Sequence, residues 1–451
     1  MLKGFLKMSK VINISDYFID YGRKLEGVNE FEIRGKVTEA CSLVVKARIP
    51  FVRIGEMCKI MLRDSGSILA EVVGFKDGNV YLMPFTGIEG IRKDDEVVAS
   101  GDEFYIKISD GLMGRVLDGL GNPIDGDGEG KCLEYERCYL SYPAINPLDR
   151  NEVRNVFQTG IKSIDALLTC GEGQRVGIFS AAGVGKSSLL AMIARNGAAD
   201  INIIGLIGER GREVREFIQH QLDEEGMKKS IVIASTSDAA PLIRLKAAFV
   251  ACSLAEYFCN RGKKVLLLID SITRLARAQR EIGLAIGEPP ARYGYTPSVF
   301  ALLPKIVERA GNFPKGCITA FYTVLMEGDD PDEPISDEMR SLLDGHIILS
   351  REHAYENHYP AIDVLKSVSR IMNSLISEEH KVAAKKLMQT LSTYEKAKDA
   401  ILIGAYKSGS NKEIDYAIDK LPLIKKFLQQ DFSECYSYRD SISYLINLFN
   451  L

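Results

Sequence analysis

Between Arg175 and Ile193 the chain reads RVGIFSAAGVGKSSLLAMI, and no other stretch so narrows what it can fold into. Val176–Phe179 is a short apolar run of strand type. Ser180–Gly185 is small and flexible, and Lys186-Ser187-Ser188 opens an apolar helix that Asn196-Gly197 can close. Strand, glycine-bearing loop, Lys-Ser and helix, in that order, make a cradle for phosphate. Backbone N–H groups of Gly183, Val184, Gly185, Lys186, Ser187 and Ser188 would point inward and bind oxyanions. Lys186 would reach the β- and γ-phosphates of a nucleotide, and the Ser187 hydroxyl would ligate Mg²⁺. The usual pattern is G-x-x-x-x-G-K-[ST], and Ser180 stands at its first glycine. A chance small-residue turn between a core strand and a helix would look the same locally, so the rest of the chain must decide.

With 451 residues, the chain is long enough for two to four domains, and 46% hydrophobic residues suffice for a sizeable core. Its 57 basic and 61 acidic residues leave a net charge of −4, which argues against a protein dominated by nucleic-acid backbone binding. The nine cysteines form no C-x-x-C pair, as expected of reduced thiols in a cytosolic protein. No apolar run approaches the ~18–20 residues needed to span a bilayer. Lysines interrupt the apolar residues of MLKGFLKMSKVINISDYF, which predicts no signal peptide and a cytoplasmic location.

Residues 1–26 form a short basic amphipathic segment, suited to a partner helix or an anionic membrane surface. Residues 27–98 hold five strand-like runs (FEIRGKVTEA, SLVVKARI, CKIMLR, ILAEVVGF, NVYLMPF) and predict a small closed barrel. Its acidic and basic residues nearly balance and its aromatics are few, so an assembly module fits it better than a single-strand nucleic-acid binder. Residues 99–150, dense in turn dipeptides, predict an ordered connector. From 151 to 375 strands and helices alternate, with strands expected at 176–179, 202–207, 230–235, 265–269, 317–325 and 346–349. A helix is expected between about Asp238 and Gly262. Alternation of this kind implies a largely parallel sheet with helices on both faces. From 376 to 451 the pattern is helical, at 378–407, 411–420, 422–430 and 437–450, with breaks at Gly409 and Pro422.

Two further strands end in chemistry. KKVLLLIDS runs apolar into Asp270, whose carboxylate would emerge beside the phosphate loop and hold Mg²⁺, directly or through water. IGLIGERGREVREF runs into Glu209 and Arg210. A carboxylate there can polarise the water that attacks the γ-phosphate, and the arginine can steady the phosphoryl group. Glu213 and Glu216 read as a solvated helix face. HYPAIDVLKSVSR (His358–Arg370) carries Pro360, Ala361, Ile362, Asp363, Ser367 and Ser369 in a pattern whose meaning comes from family resemblance alone.

The chain resembles the hexameric ATPases related to the catalytic subunits of rotary ATP synthases. Among them it is most similar to the type III secretion ATPases of the flagellar export and injectisome branches. The likeness spans nearly the whole length. It is carried by GIKSIDALLTCGEGQRVGIF, the phosphate loop, GERGREVREF, EPPARYGYTPSVF, AFYTVLMEGDD, LLDGHIILSREHAYENHYPAID and PAIDVLKSVSR. It implies a RecA-like α/β core with a mostly parallel sheet, preceded by a small N-terminal β-barrel and followed by a C-terminal helical domain. It implies a homohexameric ring, peripheral at the inner face of the bacterial inner membrane, with ATP and Mg²⁺ as ligands. Its implied partners are stalk and stator-like regulator subunits, export chaperones and substrates, and no nucleic acid.

Residue by residue, the resemblance makes Lys186 and Ser187 the phosphate and Mg²⁺ positions, Asp270 the metal-side carboxylate, Glu209 the catalytic base and Arg210 its adjoining arginine. Tyr359 would pack on adenine, and Arg370 would be an arginine finger offered to the neighbouring subunit. EIGLAIGEPPARYGYTPS (Glu281–Ser298) would face the ring's central channel. The chain departs from the pattern at Ser180, where Gly or Ala is usual, and at Pro331 within DDPDEP, where a bulkier residue is expected. An RNA translocase of the Rho kind shares the core and the small barrel, and a non-hydrolysing ring subunit used for docking is a third reading. The near-neutral barrel weighs against the first, and retention of Lys186, Glu209, Asp270 and Arg370 against the second.

Overall fold

The computed structural model describes residues 32–64, 66–126, 135–140, 146–326 and 333–449. The N-terminal segment 1–26 and most of Asp329–Pro334, Pro331 included, lie outside them. The chain divides into two compact units.

The first unit is a closed antiparallel barrel of β1 (Arg34–Cys41), β2 (Val44–Arg48), β3 (Glu56–Met61), β4 (Ser67–Lys76), β5 (Asn79–Pro84) and β6 (Glu96–Glu103). They are ordered β1-β2-β5-β4-β3-β6, and β6 closes back onto β1. Alternate residues point inward, among them Val45, Ala47, Cys58, Ile60, Ala70, Val72, Leu82 and Val97. The sequence pattern ends the barrel at 98, whereas β6 runs on to Glu103. Its Ser100-Gly101-Asp102 reads as a turn; it stays in the strand because the buried Glu56 carboxylate accepts from the Gly101 N–H (3.1 Å) as well as from Arg53 N–H (3.0 Å).

The second unit is built on a sheet of β7 (Val116–Asp118), β8 (Arg175–Ser180), β9 (Ile201–Glu209), β10 (Ser230–Thr236), β11 (Lys264–Asp270), β12 (Cys317–Leu325), β13 (Gly345–Leu349) and β14 (Val368–Ser369). The order is β14-β13-β8-β12-β11-β9-β10-β7, parallel throughout except for the antiparallel β14. A two-residue piece, Gly311–Asn312, also pairs with β12. Each of the six expected strands is present within two residues of its expected ends. The stretch expected to be a connector also supplies β7, an edge strand of the core sheet.

Both faces of the sheet are covered, which is why its strands read as nearly continuous apolar runs. Ile178, Ile204, Leu206, Leu266 and Leu268 pack with α1 (Lys186–Asn196) on one side. Phe179, Ile203, Ile207, Leu267 and Ile269 pack with α2 (Pro241–Asn260), α3 (Ile272–Ala285) and α4 (Pro297–Val307) on the other. Proline at the first position of α2 suits a helix start, because its missing N–H would have no partner there.

The C-terminal helices are α5 (Glu378–Leu402), α6 (Lys412–Leu428) and α7 (Tyr438–Leu448). Pro422 breaks the helical pattern in the sequence, yet α6 runs straight through it. Ala417, Ile424, Phe427 and Leu428 are buried along one face of this helix, and that packing overrides the local signal. Among the described residues, no helix is long and apolar enough to cross a membrane.

Candidate active site

Three strand ends meet at the C-terminal edge of the sheet. From β8 the chain crosses to β9 on one side while β13 lies on the other, and such a switch point is where an open α/β sheet leaves a crevice. The loop after β8 turns through Gly183 (φ 80°) and Gly185 (φ 86°), left-handed conformations that favour glycine. Gly185 is the N-cap of α1, so Lys186, Ser187 and Ser188 occupy its first turn with their N–H groups unused by the helix. Ser180 lies wholly buried at the strand end, not in the loop, and its hydroxyl has no hydrogen-bond partner among the described residues.

Lys186 Nζ contacts Asp270 Oδ1 and lies 3.6 Å from Glu209 Oε1. Asp270, the last residue of β11, also accepts a hydrogen bond from Thr323 Oγ1 on β12 at 2.7 Å. Glu209, the last residue of β9, follows a bulge at Gly208 (φ 70°) that shifts the register against β10. Bulges of this kind re-aim a side chain at the rim of a sheet. A Cβ at Gly208 would come within 3.0 Å of Arg274 Cβ. Three groups spread over more than eighty residues of chain thus form one triad of charge.

Burial pushes the Glu209 carboxyl up to about 7; the Lys186 charge opposes that rise and the Asp270 charge adds to it. Burial disfavours the Lys186 ammonium, but attraction to Asp270 and then Glu209 outweighs it, so its pKa is raised. One Glu209 oxygen is buried without a hydrogen-bond partner among the described residues. An ammonium clamped by two carboxylates, below a loop of free N–H groups, fits Mg²⁺ and a nucleotide's phosphates.

Beside the loop lies a cavity of about 680 Å³ lined by Gly185, Ser188, Tyr359, Pro360, Gln430 and Phe432, among others. A Cβ on Gly185 would come within 3.3 Å of the Tyr359 ring, so the ring lies directly against the phosphate loop. Phe432 and Gln430 carry no motif, and sequence reasoning misses them. The Arg195 guanidinium, in the last turn of α1, stacks 4.1 Å over the Phe432 ring and donates to the Phe432 carbonyl. Gln430 Oε1 accepts from Lys162 N–H (2.9 Å), while its Nε2 donates to the carbonyls of Gly160 (2.9 Å) and Glu434 (3.0 Å). The available signal was an aromatic and glutamine cluster, QQDFSECYSY, between two helices.

Two expected site residues stand apart from the triad. Arg210 is exposed and pairs with Glu213 at 3.6 Å. Arg370 is exposed and donates to the Arg340 carbonyl at 3.0 Å. Ser369 on β14 pairs with Gly345 at the start of β13, whereas Ser180 pairs with Leu349 at its end. The Arg370 backbone therefore lies at the end of the sheet opposite its own phosphate loop, offset by about 16 Å along the strand direction at ~3.3 Å per residue. The serines around it have a physical use. Ser367 Oγ donates to the Asp363 carbonyl (2.6 Å) and accepts from Ile348 N–H (2.9 Å), and Ser369 Oγ donates to the Thr169 carbonyl (2.8 Å).

In the Glu281–Ser298 stretch the helix ends at Ala285. The Glu288 carboxylate then accepts from Ser298 N–H (2.9 Å), leaving Tyr293 exposed at the tip.

The chain matches the nucleotide-binding domain of the ATP synthase alpha/beta family over residues 160–369 and the beta-barrel domain of that family over 37–101. Residues 376–447 match the T3SS EscN ATPase C-terminal domain. The flagellum-specific ATP synthase of Bacillus subtilis (strain 168) is 47% identical over 426 residues, covering 94% of this chain and 97% of that protein. The type 3 secretion system ATPase of Xanthomonas euvesicatoria is 46% identical over 416 residues, covering 92% of this chain and 93% of that one. The assembled ATPase EscN from the enteropathogenic E. coli type III secretion system superposes with a TM-score of 0.86 at 44% identity, covering 92% of this chain and 99% of that chain. EscN in complex with its central stalk EscO superposes with a TM-score of 0.84.

Proposed function

This chain belongs to the family of flagellum-specific ATP synthases and type III secretion ATPases, and on that premise we propose that it works as one of six identical subunits whose active sites are completed by their neighbours. ATP hydrolysis in protein export, with ATP and Mg²⁺ as ligands, comes with the family.

The triad suggests how the chain's own groups divide the work. The amides of Gly183–Ser188 and the Lys186 ammonium hold the β- and γ-phosphates. Ser187 and Asp270 would hold Mg²⁺, with Thr323 orienting the Asp270 carboxylate; when bound, the ion would supply positive charge against the phosphate oxygens. As phosphates claim Lys186, its pairing with Glu209 loosens, leaving a buried carboxylate basic enough to take a proton from the attacking water. Tyr359 and Phe432 bracket the adenine. Arg210, at the mouth, exchanges Glu213 for phosphoryl charge once the site closes.

The observation that carries the ring is the position of Arg370, at the sheet edge away from its own triad yet exposed. Identical subunits arranged head to tail would bring that edge of one to the triad of the next. Around this engine we place a stalk along the Glu281–Ser298 loops, and chaperones and substrates at the C-terminal helices. We assign a stator-like regulator or the membrane surface to the N-terminal segment, at the cytoplasmic face of the inner membrane.

The test is Mg-ATP turnover by assembled protein. Arg370→Ala should bind ATP and assemble but lose roughly 10³–10⁵ in rate, the usual worth of such an arginine. Turnover at the wild-type rate by assembled Arg370→Ala rules the finger out.

A further inference from the structure

Arg370 extends from a two-residue strand at the sheet edge, too short to hold its own direction. What holds it is a buried polar framework at the start of β8. The Asp344 carbonyl accepts two hydrogen bonds, from Arg370 N–H (3.0 Å) and from Gln174 Nε2 (3.2 Å). Gln174 is wholly buried; its Nε2 also reaches Ser369 Oγ (3.3 Å), and its Oε1 accepts from Gly171 N–H (2.9 Å). Asp344 is gripped in turn by Arg175, whose backbone N–H, Nε and Nη2 each donate to its carboxylate at 3.0 Å. Ser369 Oγ donates to the Thr169 carbonyl, tying β14 to the turn before β8. The approach is close enough that a Cβ on Gly345 would sit 2.7 Å from the Val368 carbonyl and 3.3 Å from Gln174 Nε2.

Resting on the reading of Arg370 as a finger acting in trans, we propose that Gln174, with Arg175 acting through Asp344, is a positioning residue for the neighbouring subunit's reaction. Gln174 stands directly before the strand that leads into the phosphate loop, and Arg175 is its first residue. One short segment therefore serves two active sites: β8 carries its own loop forward, and Gln174-Arg175 aims the arginine that leaves from the opposite edge. None of the framework residues belongs to the triad or lines the cavity beside the phosphate loop, so its loss should reduce turnover without weakening ATP binding.

The experiment uses the full chain with three changes, Gln174→Leu, Ser369→Ala and, as a partner, Lys186→Ala. Gln174→Leu should lower kcat about 10²-fold, the scale of a misplacement of about 1 Å, with the affinity for mant-ATP unchanged. Ser369→Ala removes only a half-buried hydroxyl and carries the same test if Gln174→Leu fails to bind mant-ATP. The decisive readout is complementation. Lys186→Ala has a broken phosphate loop but a sound Arg370, so mixing it one to one with Gln174→Leu should restore turnover that neither has alone. The ceiling is about a quarter of wild type, because only that share of head-to-tail interfaces pairs a sound loop with a sound finger.

A merely structural lesion at β8 would spoil the variant's own loop and give no recovery. Wild-type kcat in both Gln174→Leu and Ser369→Ala overturns the proposal. So does a mixture without recovery while an Arg370→Ala plus Lys186→Ala control recovers. If that control does not recover either, the trans reading of Arg370 falls, and the positioning role with it.

Discussion

At the scale of single residues, Glu209 is the group whose environment has most to say about chemistry. Burial raises its pKa from 4.5 to about 7, and a base must be ionised to act. The acid limb of kcat/KM, which reports the free enzyme, should therefore fall near pH 7 rather than in the ordinary carboxylate range. Glu209→Gln should lose about 10²–10⁴ in rate and abolish that limb while still binding ATP. A limb that stays in place in Glu209→Gln would assign the titration to another group. Linkage adds a second readout. The folded state holds this proton more tightly than the unfolded one, so Glu209 costs stability progressively as pH rises from about 4.5 to 7 and by a constant amount above. Without nucleotide, Glu209→Gln should gain Tm over wild type at pH 8 and show little gain at pH 4.5.

At the scale of elements, α6 shows a local rule overruled. Pro422 removes the N–H that would bond the Ile418 carbonyl, a defect worth about 3 kcal/mol in a helix interior. The helix survives because Ile424, Phe427 and Leu428 bury its far half and Ala417 its near half. Pro422 itself is exposed, so Pro422→Ala should raise stability in urea by about 1–3 kcal/mol without altering ATP turnover. An unchanged urea midpoint would mean that the helix has already relaxed around the proline. The same contest explains the other misread elements. β6 contains Ser100-Gly101-Asp102 and looks like a turn until the distant Glu56 carboxylate holds it in place. β7 is three residues long and becomes a strand only because β10 offers it an edge.

At the scale of the whole molecule, the proposed trans finger divides the active site between the two ends of one sheet. The triad and the cavity beside Tyr359 sit at one end of the strands, and the Arg370 backbone is anchored at the other. Specific activity should therefore rise steeply with protein concentration at saturating Mg-ATP, and Arg370→Ala should stay flat and low over the same range. Activity independent of concentration down to monomer would contradict a site shared between subunits.

The sequence by itself determined the strands of the core, the phosphate loop and the carboxylates Asp270 and Glu209. Buried parallel strands must be apolar to their ends, and the first polar residue after each then marks the reactive edge of the sheet. Residues without a local signature waited for the tertiary structure. Thr323 bonded to Asp270, Phe432 lining one cavity with Tyr359, and Gln174 sharing the Asp344 carbonyl with Arg370 are ordinary residues in their own segments. They meet the motif residues only when strands and loops distant in sequence come together. The position of Arg370 was also decided there. The identity of that residue shows in the chain, but which edge of the sheet it occupies follows from the antiparallel pairing of β14 with β13, a long-range contact that no local pattern encodes.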